Sequence, residues 1–230
     1  MIVSGMIKTS FVDYPGNIAT VVFTPGCNYD CYYCHNRRLI EGLEDLIPME
    51  DVFAYLKKRI GLIDGVVVTG GEPTLQRDLE AFLQQVKQLG YLVKLDTNGS
   101  HPDVIHHLIE KHLLDYVAID YKAPREKYRL ITRGDGDGDL VLETIDMLRM
   151  SGIDFEVRTT VIPQLELHDL IRMAEEMAPV PKYVLNPFKP IEYFKAEDAW
   201  LLEASIYSEE EIRQFAEAIK LYQPHTYLPF

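Results

Sequence analysis

Ile18-Ala19-Thr20-Val21-Val22-Phe23 runs straight into Thr24-Pro25-Gly26-Cys27-Asn28-Tyr29-Asp30-Cys31-Tyr32-Tyr33-Cys34-His35-Asn36. The first six residues are apolar or β-branched, as in a strand buried on both faces of a parallel sheet. Pro25-Gly26 then turns the chain off that strand into a CxxxCxxC loop. The loop holds all three cysteines of the chain. An odd set is a poor disulfide framework. Soft thiolates so closely spaced suit an iron–sulfur cluster or zinc. A cubane has four irons, so three cysteines would leave one iron open to a substrate, as a catalytic zinc keeps a free position.

The alternatives account for less of the stretch. Zinc would need Cys34 and His35, adjacent in the chain, in one tetrahedron, and no second knuckle follows. Cys31-Tyr32-Tyr33-Cys34-His35 matches the attachment site of c-type haem, but that chemistry belongs to exported proteins, and Met1–Gly5 lacks a signal-peptide pattern. A thioredoxin-like pair leaves Cys27 unexplained. A [4Fe–4S] cluster on Cys27, Cys31 and Cys34 is the expectation.

On either side of this loop, β-branched runs alternate with longer amphipathic stretches, the pattern of βα units around a parallel sheet. Strands are predicted at Ile18–Phe23, Gly65–Thr69, Leu92–Asp96, Tyr116–Asp120, Phe155–Val161 and Tyr183–Asn186. Helices are predicted at Met49–Arg59, Leu75–Leu89, Asp103–His112, Leu140–Met150 and His168–Met177, with a last one opening at the Ser208–Glu211 capping box. Six such strands suit an α/β fold of the partial (βα)6, TIM-like barrel kind better than a closed eightfold barrel, which takes about 250 residues. On pattern alone a doubly wound open sheet stays possible. The chain is expected to form a single domain over 1–230, with an N-terminal extension at 1–17 and a C-terminal helix and tail at 207–230. Ser4–Gly16 is a candidate hairpin or lid, turning at Tyr14-Pro15-Gly16.

Composition narrows the function classes. The 230 residues are 47% hydrophobic, enough for one substantial core, and contain 36 acidic against 23 basic residues, a formal charge of −13. That balance argues against a nucleic-acid backbone or an anionic membrane surface as the main partner. No apolar run of about 18 residues suggests a membrane span. A cytoplasmic location is the default expectation.

Polar punctuation falls at the ends of the predicted strands. Gly70-Gly71-Glu72-Pro73 closes the second, Asp96-Thr97-Asn98-Gly99 the third, Asp120-Tyr121-Lys122 the fourth and Asn186 the sixth, while Arg158 lies within the fifth. Ligands of βα barrels gather at the C-terminal strand ends, so these groups and the cysteines would share one rim. Taken singly each has an ordinary explanation: an Asx-turn at Asp96, a pair between Asp120 and Lys122, an Arg158 bridge to carboxylates.

The CxxxCxxC loop with an aromatic before its last cysteine, Tyr33, followed by Gly70-Gly71-Glu72-Pro73, resembles the radical S-adenosylmethionine (SAM) superfamily and its methionine-binding motif. A closer resemblance is to the glycyl-radical-enzyme activases. It is carried by Cys34-His35-Asn36, the Asp96–Gly99 run, Asp120-x-Lys122 and the opening Lys8–Gly16, and it covers most of the chain. Ser10-Phe11-Val12-Asp13-Tyr14-Pro15-Gly16 is most similar to the anaerobic ribonucleoside-triphosphate reductase activating proteins.

The resemblance implies a radical SAM barrel that binds a [4Fe–4S] cluster through Cys27, Cys31 and Cys34, with SAM chelating the fourth iron. It implies Tyr33 and Asn36 by the adenine, and Gly70, Gly71 and Glu72 at the amino group. Asp96, Asn98, Asp120 and Lys122 would lie toward methionine and ribose, with a monovalent cation at the aspartates, and Arg158 at the charged end of SAM. Asn186 takes a ribose-side position where pyruvate formate-lyase activases carry histidine. The implied reaction is reductive cleavage of SAM to a 5′-deoxyadenosyl radical, which abstracts the Cα hydrogen of a glycine on a partner enzyme. That partner would be anaerobic ribonucleotide reductase, with a pyruvate formate-lyase-like enzyme as the alternative, and a flavodoxin or ferredoxin would donate the electron. A radical enzyme acting on a small molecule is the second possibility.

Two other clusters are expected to be inert. Asp135-Gly136-Asp137-Gly138-Asp139 lacks the glycine and glutamate of a calcium loop and is expected to cap the following helix. His106, His107 and His112 are expected as surface or core residues.

Overall fold

A strand rich in valine and threonine on both faces is stable only between neighbours. In the computed structural model, which describes residues 1–230, the predicted strands find them. The chain divides into two compact units. The first comprises Met1–Cys27, Asn36–Thr97 and Asp103–Ala118, and the second Asn28–His35, Asn98–Pro102 and Ile119–Phe230.

In the first unit β1 (Gly5–Ser10) pairs antiparallel with β2 (Ala19–Thr24). Parallel to β2 follow β3 (Gly65–Gly70) and β4 (Leu92–Thr97). Ala19 stands opposite Gly65, and Gly65 opposite Leu92, while Thr24 meets Gly70 at the far end. The chain therefore leaves all three parallel strands on the same side. Around them lie α1 (Arg37–Ile40), α2 (Met49–Lys58), α3 (Leu79–Gln88) and nearly all of α4 (Pro102–Glu110). Val52 and Leu56 of α2, and Leu79, Phe82, Leu83 and Val86 of α3, are buried at helical spacing. Burying each such side chain is worth about 1.5–3 kcal/mol.

The candidate hairpin is β1 with its turn into β2. Asn17 N–H donates to Tyr14 C=O at 3.0 Å, closing the Tyr14-Pro15-Gly16 turn. Tyr14 itself packs on Ala19, Val21 and Val67. That part of the opening segment is core.

The strand β5 (Tyr116–Asp120) lies at the division, its last two residues in the second unit. In that unit β6 (Asp154–Val161), β7 (Tyr183–Pro187) and the two-residue β8 (Thr226–Tyr227) run parallel, with Thr160 opposite Asn186. Its helices are α5 (Arg125–Thr132), α6 (Gly138–Ser151), α7 (Leu167–Glu176), α8 (Ala199–Leu202) and α9 (Glu209–Ile219). The capping box of α9 is formed: Glu211 N–H donates to Ser208 Oγ at 3.3 Å and Ser208 N–H to Glu211 Oε2 at 2.8 Å.

The predicted elements recur within a few residues, with informative exceptions. The helix expected from Leu75 begins at Leu79, because Pro73–Leu75 forms a 3-10 turn capped by Glu72. The sequence analysis missed α5, whose inward face is only Tyr128, Ile131 and Thr132. It also missed α1, α8 and β8, each too short to show a period.

Candidate active site

Beyond β2, residues 24–26 run alongside the segment that leaves β3. Gly71 N–H donates to Thr24 C=O and Glu72 N–H to Gly26 C=O, both at 2.8 Å. A β-carbon on Gly71 would fall 1.8 Å from Gly26 O, and one on Gly70, at φ +122°, 2.3 Å from Thr24 O. The glycine pair thus admits the backbone that delivers Cys27, where the resemblance implied the amino group of SAM. Asn36 Nδ2 donates to Gly70 O at 2.8 Å, and Gln76 Nε2 to Pro25 O at 3.1 Å.

Glu72 is fully buried. Its Oε1 accepts from Thr74 N–H at 3.0 Å, from the Thr74 hydroxyl at 2.6 Å and from the Thr97 hydroxyl at 2.7 Å. Three donors on one oxygen satisfy a carboxylate that burial would otherwise penalise. They also tie the end of β3 to the end of β4. Three residues earlier on β4, the Lys94 ammonium donates to Asp96 Oδ1. Lys94 is 1% exposed and lies 5.9 Å from the centroid of the Tyr116 ring.

In the second unit the cysteine loop is held by hydrogen bonds along its length. Asn98 Nδ2 donates to Asn28 Oδ1 at 2.8 Å, and Asn28 Nδ2 to Ser100 Oγ at 3.0 Å. Asp30 N–H donates to Thr132 O at 2.9 Å, Asp135 N–H to Asn28 O at 3.1 Å, and Lys195 Nζ to Asp30 Oδ2 at 2.7 Å. Cys34 N–H donates to Cys31 O at 3.2 Å, folding the last two cysteines into a turn. Tyr32 bonds Gln164 at 2.8 Å and lies under the Arg133 guanidinium, which forks onto Asp198. Tyr33 is buried edge-on to Tyr32 and Phe188. Burial, and then the neighbouring Cys31 sulfur, push the Tyr33 phenol well above its usual pKa, so it stays protonated.

Asp120 accepts from Arg158 Nε at 3.0 Å and from Lys122 Nζ at 3.2 Å. Enclosure raises its pKa, but the two cations outweigh it and hold the carboxyl down to about 2. One carboxylate between two cations leaves net positive charge there. Asn186 lies on β7, partly buried, two residues before Phe188. Each strand-end residue named from the sequence is thus placed within its own unit: Cys27, Asn36, Gly70, Gly71, Glu72 and Asp96 in the first, the others in the second.

The sequence analysis missed Asn28, Ser100, Lys94, Arg133 and Phe188. Lys94 had a signal: it interrupts an otherwise apolar strand at the spacing that shares a face with Asp96. Arg133 and Phe188 had none.

The family model described as the radical SAM superfamily matches residues 21–177, more than half of the chain. The chain belongs to that superfamily. Over 227 residues this radical SAM protein is 33% identical to a Methanocaldococcus jannaschii protein whose assigned name is glycyl-radical enzyme activating enzyme. The match covers 96% of this chain and 92% of the relative, and places it in that activase family. Streptococcus suis SuiB bound to S-adenosylmethionine superposes with a TM-score of 0.68 at 12% identity, over 91% of this chain and 52% of that one. A domain of pyruvate-formate lyase-activating enzyme from Bacteroides vulgatus superposes with a TM-score of 0.55 at 18% identity, over 73% and 99%. These likenesses establish the barrel-type radical SAM fold.

Radical SAM enzymes imply a [4Fe–4S] cluster and SAM. The donor set fits: three soft thiol side chains, none in a disulfide, on a loop whose backbone is fixed at both ends. No group of three His, Cys, Asp or Glu side chains is arranged around a single metal ion. A cubane makes a different demand, since each thiolate takes a different iron. The Asp135–Asp139 run caps α6 through Asp137 Oδ1, which accepts from Asp139 N–H at 2.9 Å. His107 pairs with Glu80 at 3.0 Å on the surface. No helix is long and apolar enough to cross a membrane.

Proposed function

We propose that this radical SAM enzyme generates a glycyl radical on a partner enzyme, and that the partner is the anaerobic ribonucleoside-triphosphate reductase. The observation that carries the activase assignment is the near end-to-end match to the Methanocaldococcus relative. The reductase is favoured by the Ser10–Gly16 opening, which resembles the proteins that activate it.

Cys27, Cys31 and Cys34 would hold the [4Fe–4S] cluster through their thiolates, with one iron left for SAM. SAM bound there would supply the hydrogen-abstracting chemistry by one-electron reductive cleavage, the electron coming from a flavodoxin- or ferredoxin-like donor. Glu72 is the acceptor for the SAM ammonium, and Gly70 and Gly71 fix the backbone beside it. The net positive group of Arg158, Lys122 and Asp120 would suit the SAM carboxylate. Asn36, Tyr33 and Asn186 would serve the adenosine side, Tyr33 as a phenol that keeps its proton. Asn98 acts through Asn28 to hold the cysteine loop. The partner's glycine would lose one Cα hydrogen atom to that chemistry and be left as the radical.

The test is electron paramagnetic resonance of an anaerobic mixture of reconstituted enzyme, SAM, reductant and the reductase. A glycine-centred doublet is expected. SAM turnover without that doublet, when a pyruvate formate-lyase-like enzyme gives one, would reassign the partner. Turnover without a doublet on either would remove the activase function.

A further inference from the structure

The resemblance implies a monovalent cation beside Asp96 and Asp120, and the donor set at Asp96 does not fit one. Lys94 and Asp96 alternate on the same face of β4, and the Lys94 ammonium already donates to Asp96 Oδ1. The lysine is 1% exposed, and its charge also lies near the face of Tyr116. A buried ammonium persists only with such partners. A second cation on the same oxygen would meet like charge in a site shielded from water. Asp120 is provided for in the same way, by Lys122 and Arg158.

We propose that Lys94 is a covalently carried counter-cation that positions Asp96, so that this enzyme binds SAM without a soluble alkali cation at that carboxylate. The proposal rests on the radical SAM reading and on the family resemblance that sets Asp96 beside SAM. It makes Lys94 a positioning residue, acting through Asp96.

The experiment is calorimetric titration of the anaerobically reconstituted enzyme with SAM in potassium, sodium, ammonium or choline chloride at one ionic strength. The parent is expected to bind equally, within about twofold, in all four salts. Lys94→Ala is expected to bind about tenfold more weakly in choline chloride and to recover most of that loss in potassium or ammonium chloride. Three results overturn the proposal: a parent that loses about tenfold in choline, a variant that matches the parent in choline, or a weakened variant that no cation rescues. The last would make the pair merely structural. If the variant does not fold, the parent series decides alone. A parent that binds no SAM in any salt overturns the SAM-site assignment itself, a failure distinct from cation dependence.

Discussion

Gly71 has no room for a side chain. A β-carbon there would collide with Gly26 O at 1.8 Å, and that backbone cannot yield without moving Cys27. Gly71→Ala is expected to cost about 1–3 kcal/mol, as overpacking does. It should also lower the iron retained after reconstitution, read by thermal unfolding and iron analysis. Gly16→Ala is the control, since alanine would be strained at that left-handed φ but nothing lies within 4 Å; it should lose stability and keep its iron. Asp120 gives a pH prediction. Its folded pKa, about 2, lies below the ordinary carboxylate value, so its pairing contributes fully above that ordinary value and is lost as pH falls toward 2. The stability difference between the parent and Asp120→Asn should therefore be flat above about pH 5 and shrink below about pH 4. A difference that shrinks between neutrality and about pH 5 would contradict the pairing. The glycine pair was visible in the sequence, as part of a motif that resembles one for binding SAM. What approaches was not, because a sequence marks the missing side chain and not its neighbour.

The cysteine loop is the element on which the site depends. It carries three thiols and has no regular secondary structure of its own, so its conformation comes from contacts supplied by distant segments. Asn98 is one: its side chain bonds Asn28, between Cys27 and Cys31, and its Oδ1 accepts from Ser100 N–H at 3.0 Å. Asn98→Ala is expected to weaken the loop by about 1–3 kcal/mol, the cost of leaving part-buried polar partners unmet. Hydrogen exchange over residues 28–35 should rise, and a chelator should strip iron faster. Unchanged exchange would mean the other ties suffice. The Asp96–Gly99 run was recognised from the sequence as a ligand motif. Its aspartate and asparagine turn out to act first within the protein, Asp96 on Lys94 and Asn98 on Asn28. Patterning found β2 and β3 because each is rich in apolar and β-branched residues, and it found α3 and α7 because their buried faces repeat. It passed over α5, which is largely polar.

At the scale of the whole molecule the charge of −13 remains the strongest bulk property. It favours partners that present cationic or neutral surfaces and disfavours phosphate backbones. The α/β class followed from alternating strands and helices, whereas the chemistry followed from the family that the three cysteines and the strand-end motifs resemble. The central claim is that those cysteines hold an open-iron cluster that cleaves SAM. Anaerobic reconstitution followed by reduction with SAM tests it most directly. The parent should hold about four irons per chain, as a cubane requires, and release 5′-deoxyadenosine and methionine in equal amounts, while Cys34→Ala should release neither. A fully loaded parent that leaves SAM intact, or a Cys34→Ala variant that cleaves it as the parent does, would contradict the account.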